Sequence, residues 1–111
     1  MSKPSDLVQG TLDMLLLNIL ALEPMKGFVV TQRLKQVSGD VLQVGDGSLY
    51  PVLHKLEQEG WITAGWKTSA YGRPGKNYSL TRLRRRQLEK ETHNWGRLSN
   101  AISRVIKLKE A

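Results

Sequence analysis

Three features of the 111-residue sequence predict a mainly α-helical chain with one small β-hairpin. Apolar residues recur at helical spacing in three consecutive segments before residue 60. At Trp61 the texture changes to short aromatic and β-branched runs around a Gly/Pro-rich connection. From Thr81 the helical pattern returns and continues to the end. The order helix, helix, helix, hairpin, helix is that of a winged helix-turn-helix with an appended C-terminal helix. Residues 1–81 are expected to form the winged unit and residues 82–111 a dimerisation helix.

Residues 1–9 read as a polar lead-in. The first helix is expected from Gly10-Thr11, with Thr11 as cap and Asp13 near the positive end of the dipole, and it must end before Pro24. Leu12, Met14, Leu15, Leu16, Leu17, Ile19 and Leu20 cover almost its whole circumference. A helix apolar all round is buried on more than one side. In so short a chain the second side is expected from another subunit, with Leu12 and Leu16 at that interface.

The second helix is expected over Gly27–Ser38, with Val30, Leu34 and Val37 at i, i+4 and i+7 and Gly39 as the stop. For the third, Pro51 lacks an N–H and suits the first turn, which sets the cap near Gly47 or Ser48. Gly60 ends it. Leu49, Val52, Leu53 and Leu56 fall on one face, and Tyr50, Pro51, His54, Lys55 and Gln58 fall opposite. That outer face carries donors and acceptors with no acid near its start. Ser48 and the free N–H groups of the first turn can hold a phosphate. Such a helix enters a major groove N-terminus first.

Trp61-Ile62-Thr63 and Tyr78-Ser79-Leu80 form the hairpin, with Lys67, Arg73 and Lys76 around a tip holding Gly72, Pro74 and Gly75. Small, rigid residues let backbone approach a duplex, and Arg73 is long enough to reach phosphate or minor groove. In the last helix Leu88, Trp95 and Ile102 are seven apart, with Leu98 and Val105 between; Glu91 interrupts this heptad seam. Leu88, Leu98, Ile102 and Val105 are expected at a homodimer interface.

The charge distribution points the same way. Residues 1–60 carry a net −2, residues 61–88 hold seven Lys/Arg and no acid, and residues 89–111 add +2, for +7 in total. A basic excess confined to one stretch is a footprint for a polyanion. Arg82, Arg84, Arg85 and Arg86 surround the start of the last helix, so only some can touch one duplex; the others are expected to meet acids such as Glu89, or solvent.

Other classes are excluded on chemistry. The chain has no cysteine, hence no disulfides, Cys-ligated zinc or thiol catalysis. His54 and His93 lie on different helices without converging ligands, no paired carboxylates share a face, and no nucleophile motif occurs, so neither enzyme, metal site nor cofactor is expected. Pro74-Gly75-Lys76-Asn77 fails as a phosphate loop, since Ala70 replaces the first glycine and a strand follows. The longest apolar run, Met14 to Leu22, is too short to span a bilayer and lacks signal-peptide flanks, so a cytoplasmic protein without membrane contact is expected. The rival to DNA binding is an adaptor using its winged helix for protein contacts, a role that does not call for seven bases without an acid.

Gly47-Ser48-Leu49-Tyr50-Pro51-Val52-Leu53-His54-Lys55-Leu56-Glu57-Gln58-Glu59-Gly60-Trp61-Ile62 resembles the signature of the PadR family of bacterial transcriptional regulators. Leu7–Asp13 and Gly72–Thr81 resemble that family's opening and its wing. The chain departs from the family pattern at Phe28, where Tyr often follows the glycine, and at Arg84, where a glycine often follows the wing's Leu-Thr. Its single C-terminal helix is similar to the smaller PadR subfamily that includes multidrug-sensing repressors. The resemblance implies a homodimeric repressor on a pseudo-palindromic operator, relieved by a small aromatic or drug-like effector that stacks on Trp95.

Overall fold

Seventeen residues, Pro4–Leu20, form α1 in the computed structural model, which describes the backbone of residues 4–68 and 74–108 and the side chains of 11–66 and 75–108. The helix starts well before the expected Gly10-Thr11. Proline suits the first helical position, and an interior glycine costs a helix only about 1 kcal/mol against alanine, so Gly10 does not stop it.

Among the described side chains of α1, most apolar ones are buried within one protomer, while Met14 and Leu15 are half-buried. Leu12 and Leu16 are 2% and 0% exposed, and Leu17, Ile19 and Leu20 are buried with them. This corrects the expectation that Leu12 and Leu16 meet a partner. α1 packs against the helices over Gly27–Val37, Asp46–Gln58 and Arg82–Lys107 and the strand Pro74–Leu80, and Leu88, also expected at the interface, closes this core instead at 3% exposure.

A two-residue strand β1 (Met25–Lys26) follows, pairing Met25 with Tyr78 and Lys26 with Asn77. Two residues are too few for alternation to show in a sequence, and the expected hairpin is thus a three-stranded sheet. Helix α2 (Gly27–Val37) buries Val30 and Leu34, while Val37, in the last turn, is exposed. Its end is a Schellman turn: the Gly39 and Asp40 N–H groups donate to Gln36 and Lys35 carbonyls, with both residues at positive φ.

Helix α3 (Asp46–Gln58) begins earlier than expected, with Gly45 as N-cap, so Pro51 stands in the second turn. The proline withholds a hydrogen bond from the Gly47 carbonyl, and Gly47 is exposed, leaving that oxygen open to water. Leu49, Val52, Leu53 and Leu56 form its buried face. Gly60, at φ +79°, makes a second Schellman turn, its N–H donating to Glu57 O and that of Trp61 to Leu56 O.

Strands β2 (Ile62–Thr68) and β3 (Pro74–Leu80) pair antiparallel from Ile62↔Leu80 to Thr68↔Pro74, giving the order β1-β3-β2. They outrun the expected three-residue runs, because ladder pairing carries Gly65, Lys67 and Gly75, residue types that give no strand signal. At the hairpin's base the Thr81 N–H donates to Trp61 O (2.9 Å) and its hydroxyl to Gly60 O (3.1 Å), fastening the exit of α3 to the entry of α4. Helix α4 (Arg82–Lys107) runs 26 residues, about 39 Å. Its first turns join the core; beyond them it extends along a molecule measuring 57 × 29 × 23 Å. Among the described residues no helix is long and apolar enough to cross a membrane.

Candidate nucleic-acid interface

The buried stripe of α3 turns its opposite face outward, and Ser48, Tyr50, Pro51, His54 and Lys55 are all exposed there. They do not form one uniform surface. The Tyr50 ring leans on Gly27 at the start of α2, where an added Cβ would stand 3.1 Å from Tyr50 Cε1 and 3.2 Å from its hydroxyl. The bare backbone of Gly27 thus leaves room for the Tyr50 ring, a role that its place at the start of a helix does not reveal. On the other flank, Lys55 Nζ donates to Asp13 Oδ2 of α1 at 2.8 Å, which raises the lysine pKa through that hydrogen bond and the adjacent carboxylate charge. Lys55 is therefore already held by another element, and Tyr50 lies against one.

The sheet continues this face. Ile62, Ala64 and Trp66 of β2 pair with Leu80, Tyr78 and Lys76 of β3 on one side of the hairpin. The first two pairs pack on the core. Tyr78 is buried, and burial first, then the Glu57 carboxylate and Tyr50, push its hydroxyl pKa up; α3 itself packs against β2. The third pair lies beyond the core: Trp66 is 74% exposed and Lys76 is exposed. Lys67 contributes described backbone only, and Arg73 lies outside the described residues. Trp66 was missed as a surface feature because an aromatic in a strand reads first as core.

The four arginines of α4 separate by partner. Arg84 stacks over the Trp61 ring at 4.8 Å and donates to Gln87 Oε1 (2.9 Å). Arg85 donates to the Ala21 carbonyl (3.1 Å), at the negative end of α1. Among the described residues neither pairs with an acid, and Arg85 is exposed to solvent. Arg82 and Arg86 are exposed, and among the described residues neither forms an ion pair. No cluster of three or more His, Cys, Asp or Glu that could hold a metal occurs among the described residues.

Further along α4, Trp95, Leu98, Ile102 and Val105 form an exposed row, from 43% for Trp95 to 66% for Val105. Asn18 of α1 fixes the helix upstream of this row, its Nδ2 donating to Thr92 Oγ1 (3.2 Å) and to Met14 O (2.8 Å).

Residues 16–90, which hold the core, the outward face of α3, the sheet and the start of α4, match the model of the transcriptional regulator PadR-like family. The chain belongs to that family. A solved PadR-like transcriptional regulator from Bacillus cereus is 26% identical, with a TM-score of 0.79, covering 92% of this chain and 97% of that one. A PadR-like transcription factor from Bacteroides fragilis is 28% identical, with a TM-score of 0.73 and coverage of 91% and 95%. An uncharacterized protein of Lysinibacillus sphaericus is 24% identical over 98 residues, 88% of this chain and 90% of that one. This PadR-like chain is accordingly a winged-helix, DNA-binding transcriptional regulator, of a class without enzymatic chemistry. The departure at Arg84 has a local use, since its guanidinium covers the Trp61 ring at the joint between α3 and the wing.

Proposed function

We propose that this PadR-like regulator is a homodimeric repressor that binds a pseudo-palindromic operator and releases it on taking up a flat aromatic molecule. The observation that carries the reading is the exposed row of Trp95, Leu98, Ile102 and Val105 on an arm extending past the core. A row of large apolar side chains at heptad spacing is stable in water when a second copy covers it. Residues 82–111 serve as the dimerisation arm and residues 1–81 as the DNA-binding unit, with Leu88 rooting the arm in that unit's core. A cytoplasmic location goes with this role.

Two winged units then present Ser48, Tyr50, Pro51, His54 and Lys55 to major grooves about 34 Å apart, one helical turn. Lys67, Arg73 and Lys76 of the wing meet phosphate and minor groove. Glu91 interrupts the row one turn before Trp95, which favours a gap beside the indole where a flat molecule can stack. Such a molecule lifts repression by binding a DNA-incompetent spacing of the two wings more tightly than the competent one.

Titrating a random-sequence duplex across salt tests the DNA arm. Binding should fall steeply with salt, and Lys76→Ala should flatten the log–log slope by about 0.9 for each phosphate that is no longer neutralised. Absence of binding at low salt would support the protein-contact adaptor instead. Sedimentation at micromolar concentration should give roughly twice the 12.5 kDa chain mass. For the effector, aromatic dyes should quench Trp95 fluorescence in a chain carrying Trp61→Phe and Trp66→Phe and weaken its DNA binding. Failure of a varied panel on both counts would leave Trp95 as interface packing only.

A further inference from the structure

Ser48, Pro51, Val52 and Lys55 follow one another at i, i+3, i+4 and i+7, so they form one flank of α3. With Gly47 and Asp13 of α1 they line a depression of about 410 Å³ between the two helices. At one end lies the first turn of α3, where the Ser48 N–H donates to the Gly45 carbonyl (3.0 Å) and the N-cap Gly45 has no side chain to accept from the Asp46 and Gly47 N–H groups. At the other end the Lys55 ammonium donates to Asp13 Oδ2 at 2.8 Å. The two side chains remain 55% and 38% exposed, so the pair is open to solvent and to a phosphate.

Apart from the Asp46 carboxylate in the first turn of α3, the groups along this flank favour an anion. The open helix N-terminus, the Ser48 hydroxyl and the lysine would together make a phosphate seat. Asp13 is the one carboxylate lining it, and it takes up the one cation. An exposed ion pair contributes little to folding, so fold stability does not account for an acid here.

We propose that Asp13 is a positioning residue that acts through Lys55: it holds the ammonium against α1 and so withdraws one cation per protomer from phosphate binding. The inference rests on the DNA-docking reading above. Sequence-independent affinity is set by the number of phosphates neutralised. With Lys55 occupied, that number is supplied mainly by the wing, and duplex of arbitrary sequence is held less tightly. The raised pKa of Lys55 fits an ammonium held by a carboxylate.

The experiment compares full-length wild type, Asp13→Asn, Lys55→Ala and the double variant on a short random-sequence duplex across salt, with thermal unfolding as the check on folding. Asp13→Asn should bind about two- to fivefold tighter at low salt, the span of exposed ion pairs, and its salt slope should steepen by about 0.9 per protomer. Adding Lys55→Ala should abolish both changes. The thermal-unfolding check separates such a gain in affinity from non-specific binding by unfolded basic chain. Glu23→Gln, which removes the carboxylate of the other described ion pair (Arg33–Glu23, 3.7 Å), should leave the slope unchanged. Unchanged or weaker binding by Asp13→Asn overturns the proposal, as does a gain that survives Lys55→Ala, which would reflect long-range charge alone. No binding by any of these proteins at low salt overturns the docking reading, and this inference with it.

Discussion

Truncating Leu16 and truncating Ile102 should damage different equilibria. Leu16 is fully buried in the protomer, surrounded by Leu12, Leu20 and the other side chains of the core. Leu→Ala at such a site removes the transfer free energy of the missing carbons and leaves a cavity, together about 3 kcal/mol. For a chain of this size that is roughly 10–20 °C in Tm. Ile102 is 46% exposed in the protomer, so only part of its side chain is still available for burial against a second copy. At about 0.8 kcal/mol per methylene, Ile102→Ala removes about 1 kcal/mol per copy. Two copies give about 2 kcal/mol, a rise in dimer Kd of roughly 30-fold. Sedimentation across concentration reports Kd, and thermal unfolding at fixed high concentration reports stability, since Tm of a dimer depends on concentration. Leu16→Ala should lower Tm with Kd within about threefold of wild type. Ile102→Ala should raise Kd and lower Tm only as far as mass action requires. If Leu16→Ala instead dissociates the dimer with its unfolding unchanged, the packing of α1 described above is wrong.

Arg84→Ala and Arg85→Ala should each lower Tm, by about 0.5–1 kcal/mol in stability, through loss of the Trp61 stack and of the Ala21 carbonyl cap, with the DNA salt slope little changed. Arg82→Ala and Arg86→Ala should do the reverse, and equal slopes for all four would refute the division. Gly60→Ala places a Cβ at φ +79° and should cost about 1–2 kcal/mol in urea unfolding; a neutral result would mean that this turn relaxes freely. Gly27→Ala should leave stability within about 1 kcal/mol, because Tyr50 can swing outward, yet change the base preference read by α3. An unchanged preference in a selection experiment would remove Tyr50 from the reading surface.

The helix order, the buried stripe of α3 and the position of the wing could be read from the sequence because each rests on local periodicity and on Gly or Pro punctuation. What was missed depends on contacts between distant residues. Strand β1 exists only because β3 lies beside it, and two residues carry no period. The burial of Leu12 and Leu16 inside the protomer is not legible locally, because a stripe of leucines does not show that α2, α3, β3 and α4 all pack on one helix. The starts of α1 and α3 were placed late because Gly10 and Pro51 were given their usual roles as punctuation, where solvent access to the Gly47 carbonyl permits an interior proline. The docking face was visible as residue types, but neither the Lys55–Asp13 pair, 42 positions apart, nor the capping role of Arg85, 64 positions from Ala21, leaves a mark on local pattern.

Selection of bound duplexes from a random DNA pool by the full-length chain tests the central claim most directly. A dimer of winged units predicts enrichment of a two-fold-symmetric sequence whose half-sites lie about one helical turn apart, bound far more tightly than the starting pool. Enrichment of an asymmetric single half-site, or recovery of the pool unenriched, would contradict it.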